Sequence, residues 1–313
     1  GRVVASTSRA KRLEDSTCIK NSRPLRLDGM AALSGMLPYP LLCSPDAGIL
    51  PCFAAGGWIP HAVCHLFTFY LGFAFVAMGR RRGIVWSDQS FKKAEEVAWH
   101  FPMIVTCFPF GLAAFRAMWR LLSSGDDAAR FGPLDTRSDL ELLECFVWFG
   151  TYLGVDFVLI ALHKMGDAET FFHHILFGSV CYVMFRGCTA PFVGAALIAQ
   201  ELSTPFLNSF LLLRGYRGLS SAITQLVFAL FAVTFFVFRV GLNTLTTLLF
   251  LREFGRSIFG GSHLLYSAHE QAVLAVVLTG GMCLQLYWAR AIVQKLSKAM
   301  AGGELSKAKA KAE

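Results

Sequence analysis

Residues 143–165 read LECFVWFGTYLGVDFVLIALHKM, and after the polar link GDAE residues 170–187 read TFFHHILFGSVCYVMFRG. The first stretch is apolar from end to end apart from Asp156 near its middle and charged or polar residues at its edges. At a rise of about 1.5 Å per residue, a helix of that length covers the roughly 30 Å hydrocarbon core of a bilayer. Five more runs of this kind lie at about 57–79, 98–120, 189–213, 220–250 and 270–294. The expected fold is therefore an all-α polytopic membrane protein of about seven transmembrane helices. The fourth run is short, and Gly187 to Pro191 predicts a tight turn into the fifth. The sixth is long and is expected to break or leave the membrane near Gly241 to Asn243.

Composition agrees. Of 313 residues, 55% are hydrophobic, 13% aromatic and only 16% charged, against about 25% charged in ordinary soluble domains. Mean hydropathy is +0.51. This excludes a soluble enzyme, a disordered chain and a nucleic-acid-binding module. The net charge of +8 sits in loops and tails, as membrane topology requires. The nine cysteines form no CxxC pair, so they read as small buried hydrophobes and not as a zinc or disulfide framework.

Three regions follow. Residues 1–56 form an N-terminal extension: seven basic residues against three acidic ones within 1–28, then a segment holding Pro38, Pro40, Pro45 and Pro51. The start has the Arg- and Ser-rich, acid-poor composition of a transit remnant or of a disordered tail. Residues 57–296 hold the spans. Residues 297–313 form a Lys/Ala-rich tail expected to be disordered. Counting short connections, thirteen basic residues fall on the side of the C-terminus and six on the other. The larger count faces the cytosol. Lys309 and Lys311 near the end resemble a dilysine retrieval signal, which points to the endoplasmic reticulum; a mitochondrial or plastid membrane is the alternative.

Ionisable residues at membrane depth are costly and therefore informative. His173 and His174 are adjacent, about 100° apart on a helix, so only one can face a given point. Either is a candidate general base or acyl-accepting nucleophile, or the two form an interhelical hydrogen-bonded pair. Asp156, with His163 two turns later on the same face, either orients an imidazole or binds a headgroup, or is a buried carboxylate paired with Arg116 or Arg239. In QELSTPFLN, residues 200–208, Glu201, Thr204 and Asn208 form one polar stripe, and Pro205 removes the helical donor for the Glu201 carbonyl. This stripe is a cavity wall or a polar clamp between helices. His100 joins the polar set. His61 and His65 have the i, i+4 spacing of two metal ligands, but nothing nearby completes a site, so no metal is assigned.

Taken in order, the mid-span Asp156, the His173–His174 pair and the segment Glu201 to Asn208 with a downstream Arg239 resemble the TLC (TRAM, LAG, CLN8) family. They look most like its members outside the ceramide synthase branch, over roughly residues 57–296. The resemblance implies a TLC-type helical bundle around a lipid-accessible cavity. In the ceramide synthases the paired histidines are required for acyl transfer from acyl-CoA, and an HDxxD segment follows them. Here that segment is Gln200-Glu201-Leu202-Ser203-Thr204, which argues against ceramide synthesis. Three functions are carried forward. The first is binding or handling of acyl lipids, with His100, His163, Thr204, Asn208 and Arg239 lining the cavity. The second is an acyl-CoA-dependent acyltransferase with His174, His173, Glu201 and Asp156 as catalytic residues and no other cofactor. The third is a non-catalytic subunit of a larger membrane complex. Expected partners are membrane lipids or acyl chains, and partner subunits on the third reading; no nucleic acid is expected.

Overall fold

The computed structural model describes residues 58–83, 94–132, 140–165, 168–187, 190–217, 221–259 and 267–312. The N-terminal extension, with its prolines and basic residues, lies outside them. Among the described residues the chain is helical throughout. In chain order the elements are α1 (Ile59–Arg81), α2 (Ala94–Ala98), α3 (His100–Ser123), α4 (Asp127–Phe131), α5 (Leu140–His163), α6 (Ala168–Gly187) and α7 (Pro191–Ala199). A 3₁₀ turn, Gln200–Ser203, leads into α8 (Thr204–Arg217). Then come α9 (Ala222–Thr234), a π-helical segment Phe235–Leu242, α10 (Asn243–Ile258) and α11 (Ala268–Ala312).

Among the described residues six stretches are long and apolar enough to cross a membrane: Ile59–Arg81, Ala94–Ser123, Glu141–His163, Pro191–Tyr216, Ala222–Ile258 and Ala268–Gln294. The remaining expected run forms α6, 20 residues long. It falls outside those six because Glu169, His173, His174 and Arg186 dilute its apolar content.

The helices are built for lipid. On α1, Val63, Phe67, Leu71 and Phe75 are all more than half exposed, whereas His61, His65, Phe69, Gly72 and Val76 face inward. Apolar side chains thus cover the outer face as well as the inner one, and the polar His61 and His65 are held inside, unlike the pattern of a soluble helix. α3 runs through the middle, packed against α1, α5, α7 and α8. Its Gly111 allows a close backbone approach: a β-carbon there would stand 3.2 Å from the backbone nitrogen of Leu202. The largest core cluster, including Phe110, Phe149, Phe192 and Ile198, lies among α3, α5 and α7.

The interruption at Pro205 takes the form its chemistry dictates. With no N–H at Pro205, the Glu201 carbonyl accepts instead from the Thr204 N–H, one residue earlier, and the helix tightens into the 3₁₀ turn. α5 stops where Lys164 turns left-handed (φ 50°) and the Met165 N–H bonds back to the Ile160 carbonyl at 3.0 Å.

One expectation is corrected. The sixth run does not break at Gly241 to Asn243. It continues to Ile258, with the wide π turns of Phe235–Leu242 absorbing the irregularity. α11 extends to Ala312, and the Ala, Lys, Glu and Leu residues of its last stretch are strong intrinsic helix formers.

At one end of the bundle, outside the spans, α4 is pinned to α10. Asp126 caps α4 by accepting from the Ala128 N–H at 2.8 Å. Asp127 then receives Arg252 at 2.7 Å, Arg256 at 3.0 Å and Arg130 at 3.2 Å. Burial pushes the Asp127 carboxyl upward, but these guanidinium groups outweigh it and hold it below its ordinary 3.8.

Candidate functional site

Two polar clusters lie inside the bundle. The first is centred on Asp156 of α5, which is wholly buried. The Trp99 Nε1–H donates to its Oδ1 at 2.5 Å. His174 of α6 brings Nε2 to 2.6 Å from its Oδ2, close but off the hydrogen-bond axis. His65 of α1 places Nε2 3.8 Å from Oδ1. The protonation of His174 follows from its neighbours. Its Nδ1 lies 2.9 Å from the Thr170 carbonyl oxygen, which only accepts, so Nδ1 carries a proton. Its Nε2 lies against the carboxylate oxygen Oδ2. His174 and Asp156 are therefore in close polar contact, with Nδ1 the ring nitrogen bonded to Thr170.

The second cluster gathers around Arg239 in the π-helical segment. Its NH2 group is 3.3 Å from both carboxylate oxygens of Glu201 and donates to Thr204 Oγ1 at 2.8 Å. Its Nε–H donates to Ser203 Oγ at 2.8 Å. The Thr204 hydroxyl donates to Glu201 Oε2 at 2.5 Å. Asn208, one turn further along α8, donates from Nδ2 to the Thr204 carbonyl at 2.8 Å. Its Oδ1 accepts from His100 Nδ1 at 2.5 Å. This is the polar stripe of the sequence, folded back on itself by the 3₁₀ turn and closed by the arginine.

The clusters meet through adjacent residues. Trp99 binds Asp156, and His100, next in the chain, binds Asn208. The junction of α2 and α3 thus ties them into one line of buried polar groups running from His174 to Arg239.

Of the residues singled out in the sequence, His174 and Asp156 come together, and so do Glu201, Thr204, Asn208, His100 and Arg239. His163 does not join them; its ring packs on Phe69 at 5.3 Å, since two helical turns carry it about 10 Å from Asp156. The His173 side chain lies outside the described residues. Arg116 is exposed on the outer face of α3. Asp156 pairs with neither Arg116 nor Arg239, and Glu201 is bound by Arg239 instead of orienting an imidazole. A narrow, wholly apolar crevice between α5, α6 and α7 is lined by Phe146, Phe149, Phe177, Val180, Cys181, Gly194, Leu197 and Ile198. None of the polar site residues reaches it.

The sequence did not single out Trp99 or Ser203, and it gave His65 no partner. His61 and His65 share a face as their spacing required, but that face packs on aromatic rings: His61 stacks on Trp148 at 4.9 Å and His65 lies against Tyr152 at 5.6 Å. Among the described residues no group of three His, Cys, Asp or Glu is placed to hold a metal ion. A histidine on an otherwise apolar span was the signal for His65; the identity of its partner needed the helix register.

The family model that matches this chain is that of the TLC domain (TRAM, LAG1, CLN8), over residues 93–294. No curated protein matches the chain.

Proposed function

The chain belongs to the TLC-domain family, and from that premise we propose that it handles acyl lipids, using its buried polar line to hold the polar part of a lipid. One observation carries this reading. Side chains from α1, the α2–α3 junction, α5, α6, the 3₁₀ turn, α8 and the π-helical segment converge at membrane depth, where polar groups cost several kcal/mol unless used. Helix packing alone would be served by fewer of them, because hydrogen bonds between membrane helices contribute only about 0.6 kcal/mol on average. The excess of basic residues on the side of the C-terminus favours a cytosolic C-terminus. Native mass spectrometry of the protein released from nanodiscs should retain acyl lipid in roughly one-to-one ratio. A protein released free of lipid, and bound to stoichiometric protein partners, would favour a scaffold subunit instead.

A second reading, acyl-CoA-dependent acyl transfer, is favoured by the His174–Asp156 contact at 2.6 Å, which would orient the imidazole. It requires His174 to release one nitrogen, since Nδ1 is bonded to Thr170. Labelled acyl-CoA with amine or lysolipid acceptors tests it: loss of turnover in His174→Ala would support it, and equal turnover in both proteins would remove it.

A further inference from the structure

The polar line has one member that the rest of the network leaves unsatisfied. His65 is 1% exposed, yet among the described residues neither Nδ1 nor Nε2 has a hydrogen-bond partner. Buried imidazoles normally have one. His65 comes from α1, which lies wholly outside the matched stretch 93–294. Its placement nevertheless follows a register. His61 meets Trp148 and His65 meets Tyr152, each pair four residues on from the last, and the next turn of α5 brings Asp156 beside His65. α1 and α5 therefore run parallel, and this register delivers the ring to the Asp156 carboxylate and not to lipid.

We infer that α1 completes the site, and that His65 with Asp156 forms the docking point for the hydroxyl of an uncharged acyl lipid. The inference rests on the lipid-handling reading and gives it a ligand chemistry. His65 Nε2 and Asp156 Oδ1 stand 3.8 Å apart. That is too far for a bond to each other, but a hydroxyl oxygen about 2.8 Å from both closes the triangle. It would donate to the carboxylate and accept from the imidazole, or donate to the imidazole and accept from a protonated carboxyl. Charge balance selects a neutral group. Asp156 is already in contact with His174, and Arg239 is matched by Glu201, so the arginine is not a spare cation for the line. A phosphate would stand against the Asp156 carboxylate with nothing to offset it. An ammonium group would compete with His174 for the Asp156 carboxylate. Leu66, the next residue, is 36% exposed on the outer surface, so the imidazole lies one residue from the face where an acyl chain would run.

The test uses the full-length protein in nanodiscs, a diazirine-bearing monoacylglycerol as probe and a lysophosphatidic acid as competitor. Saturable labelling of the wild type is expected. His65→Ala should weaken it about tenfold, the loss of one buried hydrogen bond, with His65→Gln intermediate. His61→Ala, which removes only the stack on Trp148, should keep wild-type affinity, and each variant's elution profile reports its fold. If His65→Ala disrupts folding, the His65→Gln affinity decides the matter. Wild-type affinity in the folded His65 variants overturns the inference and leaves lipid handling standing. Stronger competition by lysophosphatidic acid than by unlabelled monoacylglycerol overturns the uncharged class. Absence of saturable labelling by any lipid overturns the inference and the lipid-handling reading together.

Discussion

Replacing Arg239 by Met exposes the energetics of the second cluster most clearly. Arg239 is 9% exposed and Glu201 4%. At their 3.3 Å separation, an effective dielectric of about 20 gives a gross attraction of about 5 kcal/mol. The substitution also strips donors from Ser203 and Thr204. Glu201 would keep the Thr204 hydroxyl alone, leaving its charge buried and uncompensated. Breaking such a pair from one side costs about 3–5 kcal/mol. Adding Glu201→Gln removes the stranded charge, so the double variant should recover at least about 2 kcal/mol relative to additivity. Reversible unfolding in mixed micelles, read by tryptophan fluorescence for the wild type, both single variants and the double variant, gives the cycle. A cost below about 1 kcal/mol for Arg239→Met, the size found for exposed pairs, with no coupling, would refute the buried clamp.

Other perturbations give distinct outcomes. Trp99→Phe keeps the packing but removes the donor to Asp156, and should cost about 1.5–3 kcal/mol in the same unfolding assay, as for a hydrogen bond to a charged group. Gly72→Ala would put a β-carbon 2.8 Å from the Phe101 ring; overpacking of about 1–3 kcal/mol is expected, and an unchanged midpoint would show that α1 does not seat on α3. Asp127, held below its ordinary 3.8 by Arg252, Arg256 and Arg130, contributes stability that is fully present above that value and lost as pH falls through its lower folded value. Stability measured from pH 6 to pH 3 should therefore decline at the acid end in the wild type, and the part due to this group should vanish in Asp127→Asn.

Much of the architecture was legible because a membrane span announces itself by composition. Both faces are apolar, so no register is needed to find it, and the interruption of the helix before Pro205 was legible because Pro205 lacks an N–H. What stayed hidden depends on how helices face one another. The spacing left an imidazole and an arginine both open as partners of Asp156; that it meets His174, His65 and Trp99 follows from the register of α1 and α6 against α5, which no single helix encodes. The stripe Glu201, Thr204 and Asn208 was visible as spacing, yet its closure by Arg239 required the π turns of Phe235–Leu242. Those turns left no mark in composition, and the same segment had been read as a break. His163 shows the opposite error: sharing a helix face with Asp156 did not bring it to the same site.

Density for bound lipid in a nanodisc structure determined by electron cryomicroscopy bears most directly on the buried polar line. The account predicts an acyl lipid entering from the α1 side, with its polar end within hydrogen-bond distance of His65 and Asp156 beside His174. Lipids confined to the outer surface, with those three side chains closed on one another, would contradict it.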